Sequence, residues 1–171
     1  TDGVSEACAS AGLDCAVVPQ GRRLADLRVL ALDMDSTLIT IECIDEIADY
    51  AGVRGQVSAV TASAMRGEID FRESLVRRVA LLAGVRADAL ESVYLERLEL
   101  SPGATTLLAG AREAGAKTLL ASGGFTHFTE RLRERLGFDM AVANVLEIHD
   151  GRLTGRVLGD VVDARGKADA V

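Results

Sequence analysis

The sequence predicts an α/β protein in which a parallel sheet carries a helical insertion directly after its first strand. Three observations predict it. An apolar run, "RVLALD", has the length and composition of a fully buried strand. About 60 residues of helical periodicity follow it with no strand-like segment between. A second buried run, "KTLLA", then leads through a Gly-rich turn into another amphipathic helix.

Taken in order, residues 1–27 contain "GLDCAVVPQGRRLADL", a short apolar run, then Pro-Gln-Gly, then a polar turn. This segment is expected to be the tail of an N-terminal domain, its last strand, plus a linker. Strand one covers 28–33. In "IECIDEIADYAG", Ile44, Ile47, Ala48 and Ala51 recur at i, i+3, i+4, i+7, and Gly52 ends the helix. A second helix is predicted over "QVSAVTASAMRGE". A third opens at "DFRESL", where Asp70 and Glu73 have capping-box spacing, and runs through Leu75, Val79 and Leu82 to Gly84. A fourth spans 87–98. "SPGA" predicts a Ser101 N-cap with Pro102 at N1, opening a helix to Ala114. "KTLLA" is the second strand, "SGGF" a loop, and "THFTERLRERLG" a helix stopped by Gly. "AVANVLEI" and "LTGRVLGD" flank "HDGR", and Asp-Gly between strand-like runs predicts a hairpin. "DARGKADAV" starts a further helix. The division is therefore 28–40 and 101–171 as an α/β core, with 41–100 as a helical cap.

Composition bounds the function. With 19 Lys and Arg against 26 Asp and Glu, the net charge is −7, which disfavours nucleic acid because its phosphates demand a basic face. No apolar run approaches the ~20 residues of a membrane span, and "TDGVSEACAS" is not a secretory signal. Cys8, Cys15 and Cys43 lack metal-ligand spacing and are expected as free thiols in a reducing cytoplasm.

The chemistry concentrates at two strand ends. In an open parallel sheet, functional groups collect beyond the carboxyl ends of the strands. Asp33 and Asp35 end the first strand, and Ser122, Gly123 and Gly124 end the second. Alone, D-x-D is also compatible with a turn or a helix cap, and Ser-Gly-Gly with an ordinary loop. Paired at neighbouring strand ends, they form a site for Mg²⁺, which takes one or two carboxylates plus phosphate, and for a phosphate cradled by backbone N–H groups. That combination suits phosphoryl transfer.

"DMDSTLITIECIDEIADYAG", "AMRGEIDFRESLVRRVALLAG", "LLASGGFTHFTERLRERLG" and "ANVLEIHDGRLTGRVLGDVVDARGKA" resemble the phosphoserine phosphatases of the haloacid dehalogenase-like superfamily, from about residue 22 onward. The resemblance implies a Rossmann-like core with a helical cap and Mg²⁺-dependent hydrolysis of O-phospho-L-serine, the last step of serine biosynthesis. It implies Asp33 as nucleophile and metal ligand. Asp35 would be acid then base, with its backbone carbonyl on the metal. Ser122 and the Gly123 amide would bind phosphoryl oxygens, and Lys167 would neutralise charge between nucleophile and phosphate. Glu42 would receive the substrate ammonium and Arg78 its carboxylate. The residues themselves also favour Arg78 over Arg77, since Arg78 lies about 60° from Leu75 on the helix and Arg77 points away. Met65 and Phe71 match apolar residues closing over the ligand, though each is equally compatible with helix packing. His127 is read as a helix-face residue.

The family's Gly-Asp-Gly-x-Asn-Asp motif, which completes the metal site, does not occur before Val171. The expectation is a fragment with a core incomplete at its C-terminus and weak Mg²⁺ binding, and inactive for want of that motif. The alternatives are a phosphatase or phosphotransferase for another small phosphomonoester, which Glu42 and Arg78 disfavour, and a non-catalytic binding fragment.

Overall fold

The computed structural model describes residues 2–17, 20–21 and 23–171. Its sheet has four strands in the order β1 (Val29–Leu32), β2 (Lys117–Phe125), β3 (Met140–His149) and β4 (Arg152–Leu158). β1, β2 and β3 run parallel, and β4 returns antiparallel to β3. Between β1 and β2 lie α2 (Cys43–Tyr50), α3 (Arg54–Met65), α4 (Phe71–Ala80), α5 (Asp88–Glu96) and α6 (Ala104–Glu113). α7 (Thr126–Leu136) follows β2, and α8 (Ala164–Asp169) follows β4.

Local chemistry accounts for most boundaries. Asp70 caps α4 by accepting from the Glu73 amide at 2.7 Å, and Asp163 caps α8 through the Gly166 amide at 3.0 Å. Gly137 ends α7 with φ 71°. Asp150 and Gly151 carry φ of 48° and 72°, the paired left-handed conformation of a two-residue hairpin turn. On α2, Ile44, Ile47 and Ala48 are buried. They join Leu75, Val79, Leu82, Leu90 and Val93 in one apolar cluster with Leu120 and Phe125 of β2 and Phe128 and Leu132 of α7. Helical insertion and sheet thus share a core. The β3–β4 hairpin is sutured to the α4–α5 connection by the Gly84 amide to the Leu153 carbonyl and the Leu153 amide to the Val85 carbonyl, both 2.8 Å. Gly155 makes this approach possible, since with φ 83° an added Cβ would lie 3.0 Å from Ala83 Cβ and 3.2 Å from the Ala80 carbonyl oxygen.

Four expectations need correction. "RVLALD" is not fully buried: among the described residues β1 pairs only with β2 and forms the sheet edge, and its Ala31 is exposed. "SGGF" is not a loop but the end of β2, where pairing with β3 slips between Ala121 and Phe125. α6 is entered through Gly103 rather than capped by Ser101. Pro102 and Gly103 (φ 86°) form a turn closed by the Ala104 amide on the Ser101 carbonyl, the conformation Pro-Gly favours. Finally, 13–17 forms no strand among the described residues, and the helix α1 (Asp2–Ser10) precedes it. Val18, Pro19 and Arg22 of that expected strand and linker lie outside the described residues.

Among the described residues no helix is long and apolar enough to cross a membrane.

Candidate active site

β1 and β2 are direct neighbours, so their carboxyl ends open onto one cleft of about 150 Å³. Asp33, Asp35, Gly123, Gly124 and Lys167 line one wall, and Glu42, Ile44, Phe71, Leu75 and Arg78 from the helical insertion line the other. Residues 33 and 167 are far apart in sequence, yet Lys167 Nζ donates to Asp33 Oδ2 at 2.5 Å. The other oxygen of Asp33 accepts its neighbour's Met34 amide at 2.8 Å, which fixes the carboxylate's rotation.

Asp35 sits deeper. Leaving β1, the chain turns sharply, with Ser36 at φ 51° and Ile39 bonded back to the Met34 carbonyl. This turn aims the Asp35 side chain at the start of α2, where Oδ1 accepts the Cys43 amide at 2.9 Å. Desolvation raises the Asp35 pKa to about 6, and the nearby charges of Glu42 and Asp33 push the same way. Burial likewise pushes the adjacent Cys43 thiol up, which keeps it protonated. Ser122 is fully buried behind the cleft wall. Its hydroxyl accepts the Gly124 amide at 2.8 Å and donates to Asp35 Oδ2 at 3.5 Å. The expected cradle is thus partly occupied internally, since the Gly124 N–H serves Ser122. Gly124 is a clearance residue, because an added Cβ would stand 2.7 Å from Asp35 Oδ2.

Across the cleft, Glu42 accepts the Ser36 hydroxyl at 2.7 Å. Of the other acidic residues of α2, Glu46 and Asp49 bind Arg97, at 2.5 and 2.7 Å. Arg78 is half-buried and bonded to the Ser74 carbonyl at 3.4 Å, whereas Arg77 points outward and pairs with Glu73. Burial lowers the Arg78 pKa, and Asp45 and Glu42 draw it back up. One oxygen of Asp45 is buried without a hydrogen-bond partner. Phe71 closes over Gly123, where an added Cβ would be 2.7 Å from the ring's Cζ. Met65 is 86% exposed and does not reach the cleft. His127 packs beside Arg131 and Glu91 away from the cleft, and burial lowers its pKa to about 4.

Sequence reasoning did not single out Asn144, which is 1% exposed. Its Nδ2 donates to the Gly123 carbonyl and its Oδ1 accepts the Val162 amide, both at 2.8 Å. The available signal was a polar side chain at an inward position of an apolar strand.

Among the described residues, no group of three or more His, Cys, Asp or Glu side chains is placed to hold a metal ion by itself. Asp33 and Asp35 nonetheless supply hard oxygen donors beside an anion-sized cleft. This set suits a hard divalent cation that completes its coordination with water and substrate oxygens.

The sequence model for haloacid dehalogenase-like hydrolases matches residues 30–171. A phosphoserine phosphatase from Polaromonas sp. is 52% identical over 163 residues, covering 92% of this chain and 69% of that protein. Among solved structures, a hydrolase of the same family from Salmonella enterica serovar Typhi superposes with a TM-score of 0.85 at 36% identity, covering 99% of this chain and 57% of the other. A probable phosphoserine phosphatase from Vibrio cholerae superposes with a TM-score of 0.78 at 45% identity, covering 99% and 52%. The chain therefore spans little more than half the length of these solved relatives.

Proposed function

The chain belongs to the haloacid dehalogenase-like hydrolase family, and on that premise we propose that it hydrolyses O-phospho-L-serine to L-serine and phosphate. One observation carries the reading. A carboxylate–ammonium pair, Asp33 and Lys167, shares a cleft with an acid and a guanidinium, Glu42 and Arg78, on the opposing wall. The first pair suits the phosphoryl group, and the second suits the ammonium and carboxylate of an amino acid. The name shared by the curated relatives supports the same substrate.

In this reading 41–100 is the substrate-reading cap, and 28–40 with 101–171 the phosphoryl-handling core. Asp33 attacks phosphorus, and the bond from phosphorus to the seryl oxygen breaks. Asp35, whose raised pKa keeps a proton available, delivers it to the departing oxygen. A water then attacks the aspartyl-phosphate and gives its proton to Asp35, which frees Asp33 and inorganic phosphate. Lys167 offsets charge between Asp33 and the phosphoryl oxygens, which the Gly123 amide orients. The Ser122 hydroxyl, expected to bind the phosphoryl group, is buried behind the wall and holds Asp35 and the Gly124 amide instead. The Asp33 carboxylate and the Asp35 backbone carbonyl would hold Mg²⁺, which when bound supplies positive charge against the phosphate oxygens.

The test is phosphate release from O-phospho-L-serine with and without Mg²⁺, alongside the Asp33→Asn variant. Magnesium-dependent release that disappears in the variant is expected. Release that survives the substitution would remove Asp33 as nucleophile, and no release from the wild-type chain would refute the activity.

A further inference from the structure

We propose that Asn144 is a positioning residue that sets the distance between the phosphate-facing Gly123 backbone and the Lys167 ammonium; its catalytic meaning rests on the function proposed above. β2 and β3 run in register from Leu119 opposite Met140 to Ala121 opposite Val142, and the next pair is Phe125 opposite Asn144. Three residues of β2, Ser122 to Gly124, therefore face a single residue of β3. Such a bulge disrupts the ladder and leaves backbone groups in need of other partners. The Asn144 amide supplies one, donating to the Gly123 carbonyl at 2.8 Å.

Its other end holds a different segment. Oδ1 accepts the amide of Val162, the residue before Asp163. Asp163 starts α8, accepting the Gly166 amide on its side chain and the Lys167 amide on its carbonyl, the latter at 2.9 Å. Lys167 then reaches Asp33 at 2.5 Å. One buried side chain thus ties the bulge of β2 to the launch point of the helix that carries the lysine. The replacements nearest in size or shape do not reproduce both bonds. Asp would set a second acceptor against the Gly123 carbonyl, Leu would leave both backbone groups unpaired, and Gln is a methylene longer. Moving Gly123 also moves the surface on which the Phe71 ring rests. Because small misplacements of positioned groups are costly to rate, the effect should fall on turnover rather than on amino-acid recognition.

The experiment compares wild type, Asn144→Ala and Asn144→Asp. The first readout is kcat and KM for O-phospho-L-serine with Mg²⁺. The second needs no activity. The chain has only two lysines, Lys117 and Lys167, so reductive ¹³C-methylation places one NMR probe at each. Lys117 pairs with Asp139 at 2.7 Å and serves as the internal control. The expected result is kcat lowered about 10- to 100-fold with KM within about threefold. The Lys167 resonance should shift toward that of Asp33→Asn while Lys117 stays in place. Should Asn144→Ala fail to fold, the near-isosteric Asn144→Asp decides. A Lys167 signal unmoved in the folded variants would overturn the proposal, whatever happens to kcat. If the wild type releases no phosphate, the substrate reading fails, and the NMR shift still decides whether Asn144 governs the lysine.

Discussion

Replacing Asp35 with Asn should stabilise the protein at neutral pH while removing its proposed proton transfer. The pKa of this carboxyl rises from 3.8 to about 6 on folding, chiefly because burial disfavours its charge. The folded state therefore holds the proton more tightly than the unfolded chain. The resulting stabilisation is fully present below about pH 4 and is lost as pH climbs through 6. Above that, the ionised carboxylate costs about 3 kcal/mol relative to its unfolded form, from about 1.4 kcal/mol per pKa unit. An Asn keeps an oxygen for the Cys43 amide and can turn its NH₂ toward the Ser122 hydroxyl, so most of that cost should be recovered. Urea denaturation followed by circular dichroism, from pH 4 to 7.5 with EDTA present, tests this. Carboxylates remote from Asp35 cancel between the two proteins, so the difference curve reports the substituted group and its charged neighbours. The variant should be more stable by 2 to 3 kcal/mol, roughly, at pH 7, and the gap should close toward pH 4. A variant no more stable than wild type at pH 7, or a difference that does not vary with pH, would refute the reasoning.

Glu42→Gln should reduce kcat/KM for O-phospho-L-serine about 10- to 100-fold, the worth of one hydrogen bond to a charged group. p-Nitrophenyl phosphate, which has no ammonium, should lose little, and equal losses would remove Glu42 from substrate recognition. Gly124→Ala and Gly123→Ala, adjacent and chemically identical substitutions, should differ. The first drives a methyl to 2.7 Å from Asp35 Oδ2 and 2.9 Å from the buried Met34 side chain, while the second meets only the half-exposed ring of Phe71. A thermal melt should show the larger loss for Gly124→Ala, and the reverse order would contradict the packing of this wall.

Features decided within a few residues were legible in the sequence. The alternation of strand and helix, the Asp70 cap, the Gly137 stop, the Asp150–Gly151 turn and the position of Asp33 and Asp35 after an apolar run all depend on short-range geometry. Helical phase sufficed to send Arg78 toward the cleft and Arg77 to solvent, because a 3.6-residue period fixes which side chains share a face. Such local rules are silent where two distant segments meet. The slip that bends the end of β2, the edge position of β1, and the burial of the Ser122 hydroxyl against Asp35 follow from how neighbouring strands register. The Asn144 clamp and the 2.5 Å approach of Lys167 to Asp33 join residues 18 to 134 positions apart. Only the packed core brings such groups together, and a carboxylate's pKa depends on that burial rather than on its neighbours in sequence.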